Sequence, residues 1–506
     1  MAKEFEAVLK DFKELIQRIK QYNDALAILY WDLRTGAPRK GVAQRAAVIG
    51  TLSTEVFKMS TSDKMAKCLE YLEKPKKNAK LDNIMRVSVA ECRKEYDKSK
   101  KIPEDMYKEY VILTSESESV WEDAKNKNDF EMFKPYLEKI VDYNLKFIEL
   151  WGYKKNKYDT LLDFYEPGMT VEKLDKIFAD LRSRIVPLVQ KIKEAGYQPD
   201  DKALLEYFDP AKQEEFCLYL LEKMGFDLEA GRLDESEHPF TTGITPGDVR
   251  ITTHYYPNNF ISAVMSSLHE GGHGLYEQGI SEELNGTPLC TGTSMGIHES
   301  QSRFWENMIG RSLDFWKCYY EELRKVFPEQ LKAVPVEDFY KAINKSEPSL
   351  IRTEADELTY NLHIMVRYEI EKALMNKEIK VADLPEIWNE KMEEYLGIVP
   401  PDNTKGVLQD VHWAGGGFGY FPSYTLGNIY AAQFFNTVRK EFPDYEEMIC
   451  KGEMLKIREW LREKIHKYGK LLTPNEIISS VTGEEINAKY LVEYLEDKFS
   501  RLYNIK

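Results

Sequence analysis

Cysteine is scarce in this chain, and the cysteines that are present lie far apart. There are six in 506 residues, and none forms a C-x-x-C pair. A zinc knuckle needs cysteines at short spacings, and none of these has that pattern. We expect reduced thiols with structural roles in a reducing compartment.

Long apolar runs are also lacking. No stretch of eighteen or more apolar residues occurs, which a membrane-spanning helix would need. The first residues, Met1-Ala2-Lys3-Glu4-Phe5, lead directly into a charged amphipathic pattern instead of an apolar leader. We therefore expect a soluble protein that stays in the cytoplasm.

Basic residues are fewer than acidic residues in this chain. The formal net charge is −15, with 70 Lys and Arg against 85 Asp and Glu. Such a chain repels phosphate backbones and anionic lipid headgroups. We therefore expect neither nucleic acids nor membranes as partners.

Most of the chain has the apolar period of amphipathic helices. From Phe5 onward apolar residues recur every three or four positions, and similar patterns fill most of 1–230 and the chain after Pro348. Short segments with Gly or Pro are predicted to separate the helices of the first half. These segments are Gly36-Ala37-Pro38, Lys74-Pro75, Ile102-Pro103, Pro167-Gly168 and Gly196-Tyr197-Gln198-Pro199.

A short β-rich region interrupts the helices in mid-chain. Segments 238–243 and 248–253 favour β structure and are bounded by Gly and Pro, which predicts a small antiparallel sheet. A helix is predicted over Phe260–Gln278, and another from about Gly296. The predicted fold class is therefore mainly α, with a small sheet beside one helix.

Histidine is rare, yet five of the eight histidines lie between residues 238 and 298. Two of them form an H-E-x-x-H motif, His269-Glu270-x-x-His273, on the predicted helix. Side chains four apart share one helical face, so both imidazoles can reach a single metal ion. Glu270 can then take a proton from a water at the metal, which is why this spacing marks metal-dependent peptidases. The alternative is a solvated histidine pair without a metal.

A catalytic zinc site needs a third protein ligand and an open position. The extended motif that places a third histidine six residues after His273 fails, because Gly279 stands there. A glutamate on a later helix is the other solution, with Glu299 as first choice and His298 as second. Glu299 also has a structural alternative, as a carboxylate favoured near a helix N-terminus.

Two glycine-rich segments carry competing interpretations. Segment 292–296 matches the G-x-S-x-G elbow of serine hydrolases at Ser294, but the chain lacks the alternating strands and helices that this elbow requires. Segment 415–419 lacks the Lys-Ser/Thr of a phosphate loop, and we interpret it as flexible backbone near a cleft.

Several separate segments together resemble the carboxypeptidase Taq family of thermostable metallocarboxypeptidases. They span residues 31–424, and their joint presence is specific. Besides the H-E-x-x-H motif they are Trp31-Asp32 with Thr35 and Pro38, His238-Pro239-Phe240, 248–253 (DVRITT), 298–302 (HESQS), 351–357 (IRTEADE), 406–413 (GVLQDVHW) and 419–424 (GYFPSY).

The resemblance implies a largely helical fold with a deep active-site cleft, and commonly a homodimer. It implies His269, His273 and Glu299 as ligands of one divalent metal ion, with Glu270 as catalytic base. It also implies removal of single residues from the free C-terminus of peptides with broad specificity, with C-terminal proline resisted. From the ligand set the metal is predicted to be zinc, with cobalt as the alternative.

No linker rich in Pro, Gly or Ser divides the chain, which predicts one continuous domain over 1–506. Within it we expect helices of about 1–230 to wall or cover the cleft, a catalytic core over about 231–430, and C-terminal helices over about 431–506. One departure from the family pattern is the pair Gly271-Gly272 in the metal helix. It either loosens the helix or lets another backbone approach.

Recognition of a free C-terminus needs a cation, and the planar fork of arginine suits a carboxylate best. Arg352 is the first candidate and Arg250 the second, each with a structural ion pair as the alternative. The unranked candidates for donating to the oxyanion are His238, His412, Tyr420 and Tyr424.

Three other functions stay open. An endo-acting metallo-oligopeptidase would share the metal centre but would not need a free carboxylate. A serine hydrolase would use Ser294, and a non-catalytic peptide-binding protein would use the metal only for structure.

Overall fold

The computed structural model describes residues 2–505 and is mainly helical, as the sequence predicts. The α-helices are α1 (Ala2–Thr35), α2 (Val42–Ser60), α3 (Asp63–Leu72), α4 (Pro75–Asn78), α5 (Asn83–Lys101), α6 (Glu104–Lys127), α7 (Phe130–Trp151), α8 (Asp159–Tyr165), α9 (Val171–Ala195), α10 (Pro210–Met224), α11 (Phe260–Gly279), α12 (Met295–Arg303), α13 (Leu313–Val326), α14 (Pro328–Leu331), α15 (Val336–Ile343), α16 (Tyr360–Met375), α17 (Leu384–Leu396), α18 (Pro422–Glu441), α19 (Tyr445–Cys450), α20 (Met454–Lys464), α21 (Pro474–Thr482) and α22 (Lys489–Tyr503). A π-helix, Phe304–Gly310, continues directly from α12. Over residues 2–505, none of the helices combines the length and apolarity that a bilayer span requires.

Helix ends coincide with the predicted breaks. Helix α1 ends just before Gly36, and α5 ends two residues before Pro103, because proline disfavours helical backbone in the residue before it. Helix α9 ends at Ala195, and the next residue, Gly196, has a φ of 65°, the left-handed conformation that glycine adopts at little cost. The predicted breaks between helices in the N-terminal half are confirmed.

Three strands form one small sheet in the order β1 (Gly231–Glu235), β3 (Asp248–Thr253), β2 (Thr241–Thr245). Strands β2 and β3 are antiparallel, as predicted, but β1 pairs parallel to β3, so the sheet is mixed. Strand β1 has no clear sequence signal, because it is largely charged and lacks apolar alternation.

Helix α11 lies against this sheet and also packs on α10 and α12. Its end at Gly279 is one residue beyond the predicted end. Val249 and Ile251 of β3 are fully buried, and so are Phe260 and Leu268 of α11. Because side chains alternate across a strand, Val249 and Ile251 share the buried face. Burial of side chains this large contributes about 1.5–3 kcal/mol each to stability.

A second, smaller hydrophobic core joins three N-terminal helices. Phe12 and Ile16 of α1 pack with Leu69 of α3 and Val89 of α5, separately from the main core. The main core takes residues from α6 through α22. The N-terminal helices therefore hold part of their own core, while the predicted role of 1–230 as a cleft wall stays a prediction.

The two glycines of the metal helix allow two different close approaches. A Cβ on Gly272 would lie 2.4 Å from the backbone oxygen of Gln301 and 2.7 Å from Cα of Ser302 in α12. A Cβ on Gly271 would instead meet Cδ2 of the Leu221 side chain, 2.7 Å away in α10. Of the two explanations that the sequence left open, the structure supports the approach of another backbone.

We expect Gly272→Ala to destabilise the protein by about 1–3 kcal/mol, because the obstacle to the new methyl group is backbone that cannot rotate away. Gly271→Ala is the matched control, since its methyl group meets the end of a flexible side chain. Thermal unfolding midpoints of both variants and wild type measure the difference. Equal midpoints for the two variants would contradict a tight contact between α11 and α12.

Candidate metal centre and active site

Helix α11 presents His269 and His273 on one face, one turn apart. Glu299 reaches them from the neighbouring helix α12. On its other side α12 is pressed against α18, where a Cβ on Gly427 would lie 2.4 Å from Cγ of Glu299. Close packing on both sides therefore holds Glu299 against the histidines.

These three side chains form a compact set of metal-binding atoms. One ligand atom of each lies within 4.8 Å of those of the other two. Oε2 of Glu299 lies 3.6 Å from Nε2 of His269 and 3.4 Å from Nε2 of His273. Two imidazole nitrogens and one carboxylate oxygen match the donor set of a catalytic zinc site. The residues present therefore fit a divalent metal ion.

His269 is oriented by a carboxylate that the sequence analysis missed. Its Nδ1 lies 2.9 Å from Oε2 of Glu306, in the π-helix. Arg303 and Arg311 donate to Glu306 at 3.1 and 3.3 Å. Burial alone would raise the pKa of Glu306, but Arg303 and His269 more than offset this and lower it to about 2. The available signal was its position seven residues, or about two helical turns, after Glu299.

His273 is oriented by another histidine. Its Nδ1 lies 2.6 Å from Nδ1 of His298, whose Nε2 lies 2.8 Å from Oε1 of Glu277. In the consistent proton assignment, His273 donates to His298, which in turn donates to Glu277. Nε2 of His273 is then an unprotonated nitrogen facing Glu299. Both ring nitrogens of His298 are engaged, which favours Glu299 over His298 as the third ligand.

Glu270 is buried beside the cluster and 6% exposed. Its Oε2 accepts a hydrogen bond of 2.6 Å from the hydroxyl of Thr241 in β2. Among the described residues its Oε1 has no hydrogen-bond partner. Burial raises the pKa of this carboxyl. The arrangement leaves one oxygen of Glu270 able to exchange a proton with a water or a substrate group.

Arg352 is buried and paired with Asp410, whose Oδ1 lies 2.9 Å from both Nε and Nη2. Its Nη1 donates to the hydroxyl of Tyr360 at 3.0 Å. These contacts leave at least one N–H on each terminal nitrogen, in the fork that fits a carboxylate. Arg367 donates to the other oxygen of Asp410 at 2.7 Å. Two buried arginines thus share one carboxylate, which leaves a positive charge in excess.

Tyr360 links Arg352 to the metal-binding cluster. Its hydroxyl accepts from Arg352, and its ring centroid lies 4.6 Å from the guanidinium carbon of Arg303. Arg303 in turn donates through Nε to Oε1 of Glu299 at 2.7 Å. The arginine pair and the histidine cluster therefore belong to one continuous set of contacts.

His412, Tyr420 and Tyr424 form an aromatic cluster next to this link. The Tyr424 hydroxyl lies 3.3 Å from Nε2 of His412, and the Tyr424 ring lies 5.0 Å from the guanidinium of Arg352. Burial raises the pKa of Tyr420 to about 12, and the charge of Glu299 adds to the rise, so its phenol stays protonated at neutral pH. Burial lowers the pKa of His412 to about 4, so its imidazole is neutral. Three of the predicted oxyanion donors are thus brought together.

The contacts of Arg250 and His238 do not join them to this cluster. Arg250 pairs with Asp248 at 2.8 and 2.9 Å. It stands opposite Thr242 in the sheet register and so points away from the face that packs on α11. His238 is exposed between β1 and β2. Both stay predictions from sequence.

Ser294 does not have the surroundings of a nucleophile. Its hydroxyl caps α12 by accepting from the N–H of Ile297 at 3.0 Å. A serine nucleophile needs a base, usually histidine, within hydrogen-bond reach. No histidine within residues 2–505 makes that contact, so the serine-hydrolase interpretation has no geometric support.

The glycine-rich segment after His412 is anchored, which differs from the flexible backbone expected. Buried Glu371 of α16 accepts from Nε1 of Trp413 at 2.7 Å and from the N–H of Gly419 at 2.9 Å. It also accepts from the hydroxyl of Tyr158 at 2.5 Å. Burial raises the pKa of Glu371 to about 7 despite these three donors. The carboxyl group of Glu371 therefore binds both ends of the segment from Trp413 to Gly419, which precedes Tyr420.

A helical body with a buried H-E-x-x-H–Glu cluster defines a metal-dependent peptidase. The model of the Carboxypeptidase Taq (M32) metallopeptidase family matches residues 11–499. The chain belongs to this family and is a metallocarboxypeptidase, a peptide-bond hydrolase. The resemblance inferred from the sequence motifs is confirmed.

Similar proteins match this chain over nearly its whole length. Carboxypeptidase 1 of Bacillus subtilis is 49% identical over 98% of each chain. Thermostable carboxypeptidase 1 of Thermus thermophilus is 43% identical over 94% of this chain and 95% of that protein. The crystal structure of the M32 carboxypeptidase from Deinococcus radiodurans R1, 35% identical, has a TM-score of 0.95 over 98% of this chain and 100% of that one. The family implies peptide substrates and a divalent metal ion.

Between about pH 4.5 and 7 the folded protein keeps a proton on Glu371 that the unfolded chain releases. The folded state binds more protons in this range, so this group's contribution to stability falls as pH rises. Glu371→Gln removes that dependence. From about pH 5 to about pH 8, the thermal midpoint of Glu371→Gln should therefore fall less, or rise more, than that of wild type.

The exposed Glu354→Gln is the control for charge removal in the same experiment. Its midpoint should follow that of wild type at both pH values, because the proton retained on Glu371 is still present. If the Glu371→Gln and wild-type midpoints run parallel between the two pH values, the raised pKa is contradicted.

Proposed function

We propose that this enzyme removes single residues from the free C-terminus of peptides with broad specificity, using one metal ion held by His269, His273 and Glu299. The observation that carries the proposal is the chain of contacts from that cluster through Tyr360 to Arg352. It joins a candidate hydrolytic centre to a candidate carboxylate-binding fork. Resistance of C-terminal proline is expected from the family resemblance.

The ion is proposed to be zinc, with cobalt as the alternative, because the donor set suits both. When bound, it supplies a Lewis acid that lowers the pKa of a coordinated water and polarises the scissile carbonyl. Glu306 and His298 keep the Nε2 atoms of His269 and His273 directed toward it.

Glu270 is proposed to move the proton. Thr241 holds Oε2, so Oε1 is the oxygen that takes a proton from the attacking water. The same carboxyl then donates that proton to the leaving amine, which completes the cycle without a second acid. Its burial keeps bulk water from competing for the proton.

The oxyanion is proposed to receive a hydrogen bond from the aromatic cluster. Tyr420 and Tyr424 offer protonated phenols, and neutral His412 offers one N–H. Donors fixed by burial need little reorganisation when charge develops, which makes them effective in stabilising it. His238 is a candidate on sequence alone.

Arg352 is proposed to bind the C-terminal carboxylate of the substrate. A buried charge without a partner is costly, so the excess positive charge of Arg352 and Arg367 over Asp410 favours an anionic ligand at this place. Arg250, already paired with Asp248 on the far face of the sheet, is the weaker candidate.

An endo-acting oligopeptidase is the alternative from the same metal centre, and it would leave this excess positive charge without a role. A serine hydrolase at Ser294 or a non-catalytic peptide-binding protein would make no use of Glu270 beside the cluster. Assembly as a homodimer and a cytoplasmic location stay predictions.

Glu270→Gln should bind metal as wild type does but lose turnover by about 100- to 10,000-fold, because an amide cannot accept the proton. Metal content by elemental analysis and hydrolysis of a free peptide measure the two properties. Chelation should stop the wild-type enzyme, and added zinc should restore it but not the variant. Undiminished turnover in Glu270→Gln would remove this residue from the mechanism, and turnover that survives chelation would favour serine chemistry.

A peptide with a free C-terminus should lose one residue at a time, whereas its C-terminal amide should be cleaved at least about 100-fold more slowly, since hydrogen bonds to a charged group are lost. Mass spectrometry of the products distinguishes the two cases. Arg352→Lys should weaken cleavage of the free peptide alone, because lysine lacks the fork. Arg250→Lys is the matched control, and equal cleavage of both peptides by wild type would support the endo-acting alternative.

A further inference from the structure

Arg303 is placed between two carboxylates that serve the metal-binding cluster in different ways. Its Nε donates to Oε1 of Glu299 at 2.7 Å, and its Nη1 donates to Oε2 of Glu306 at 3.1 Å. Glu299 belongs to the cluster itself, and Glu306 orients His269. The arginine side chain is only 13% exposed, so both bonds are largely shielded from water.

The two oxygens of Glu299 have different surroundings. Oε2 faces Nε2 of both His269 and His273, at 3.6 and 3.4 Å, and accepts from the hydroxyl of Ser302 at 3.1 Å. Oε1 is turned away from them and accepts the charged hydrogen bond from Arg303. Charge-assisted bonds of this kind are about twice as strong as neutral ones, so Oε1 is held firmly.

We propose that Arg303 is a positioning residue that confines Glu299 to binding the metal ion through one oxygen, Oε2. This inference rests on the ligand set of the proposed function. A carboxylate free to turn can bind through both oxygens and fill a further position at the ion. With Oε1 held by Arg303, that position stays available to water and to the substrate carbonyl, which hydrolysis requires.

Arg303 is itself held on several sides. Its guanidinium lies over the ring of Tyr360, and Arg311 fixes the second oxygen of Glu306 at 3.3 Å. Glu299, Arg303 and Glu306 follow one another at spacings of four and three residues, which places them on one helical face. Arg303 therefore fixes the position of Glu299, a candidate ligand, relative to Glu306, which orients the candidate ligand His269.

A lysine at position 303 would keep the charge but lose this geometry. Its single ammonium group cannot reproduce two N–H groups in a planar fork toward two carboxylates. Methionine would keep most of the length and remove every donor. Arg303→Lys and Arg303→Met thus separate the effect of charge from the effect of the fork.

Cobalt(II) is the probe for the test, because its visible absorption weakens as the coordination number rises. We expect the cobalt forms of both variants to absorb more weakly per bound ion than wild type, as Glu299 turns to bind through both oxygens. Their cobalt affinity, measured by titration, should also fall by about 10- to 100-fold. Far-ultraviolet circular dichroism and the thermal midpoint of the metal-free proteins report whether the variants are folded.

Arg311→Lys is the matched control, since Arg311 contacts Glu306 but not Glu299. It should keep the wild-type cobalt spectrum, because Oε1 of Glu299 remains bonded to Arg303. If folded Arg303→Lys and Arg303→Met have the wild-type spectrum and affinity, the inference is overturned. If the spectrum and affinity change in Arg303→Met but not in Arg303→Lys, the charge alone positions Glu299. The inference that the planar fork does so is then wrong.

A different result would count against the proposed function itself. If the His269→Ala or Glu299→Ala variant keeps the cobalt spectrum of wild type, the protein does not bind the ion at this cluster. That outcome is independent of Arg303, so the two failures can be told apart.

Discussion

The short separation between α11 and α12 is the constraint on which the site depends. Neither helix alone carries the metal-binding cluster, because α11 contributes His269 and His273 while α12 contributes Glu299. Gly272 lets the α12 backbone come closer than any side chain would allow, and Gly427 does the same on the opposite side. An interior glycine costs about 1 kcal/mol of helix propensity. The close contacts that it permits offset that cost and bring the three side chains to one point.

Charge around this point is organised through arginine. Arg303 bonds the carboxylate of Glu299, and Tyr360 carries the contact on to Arg352. Near the histidines Arg303 bonds both Glu299 and Glu306, whereas Arg352 and Arg367 share one carboxylate, that of Asp410. Since an unpaired buried charge is unfavourable, this excess positive charge supports the proposal that an anionic substrate group binds at Arg352. The histidine cluster and the two arginines thus belong to one network of contacts.

The features that the sequence predicts are local, whereas those that it does not reveal depend on contacts between distant segments. The helical periods, the breaks at Gly and Pro and the H-E-x-x-H spacing depend on neighbours within a few residues. Strand β1 pairs with β3, but its largely charged sequence lacks the apolar alternation that predicts a strand. Glu306 was missed because its role depends on a helix 37 residues away, where it meets His269. The tight packing at Gly271 and Gly272 likewise became clear only when their neighbours were known.

The sequence by itself determined the helical class, the two histidines and the glutamate of the motif, and the family to which the chain belongs. It narrowed the third ligand to Glu299 or His298 and the carboxylate fork to Arg352 or Arg250, without choosing by geometry. The tertiary structure decided their surroundings: His298 contacts His273 and Arg250 lies on the outer face of the sheet, which supports the proposed roles of Glu299 and Arg352. Spacing along a helix is set by its period, whereas contacts between distant segments depend on how the intervening helices pack.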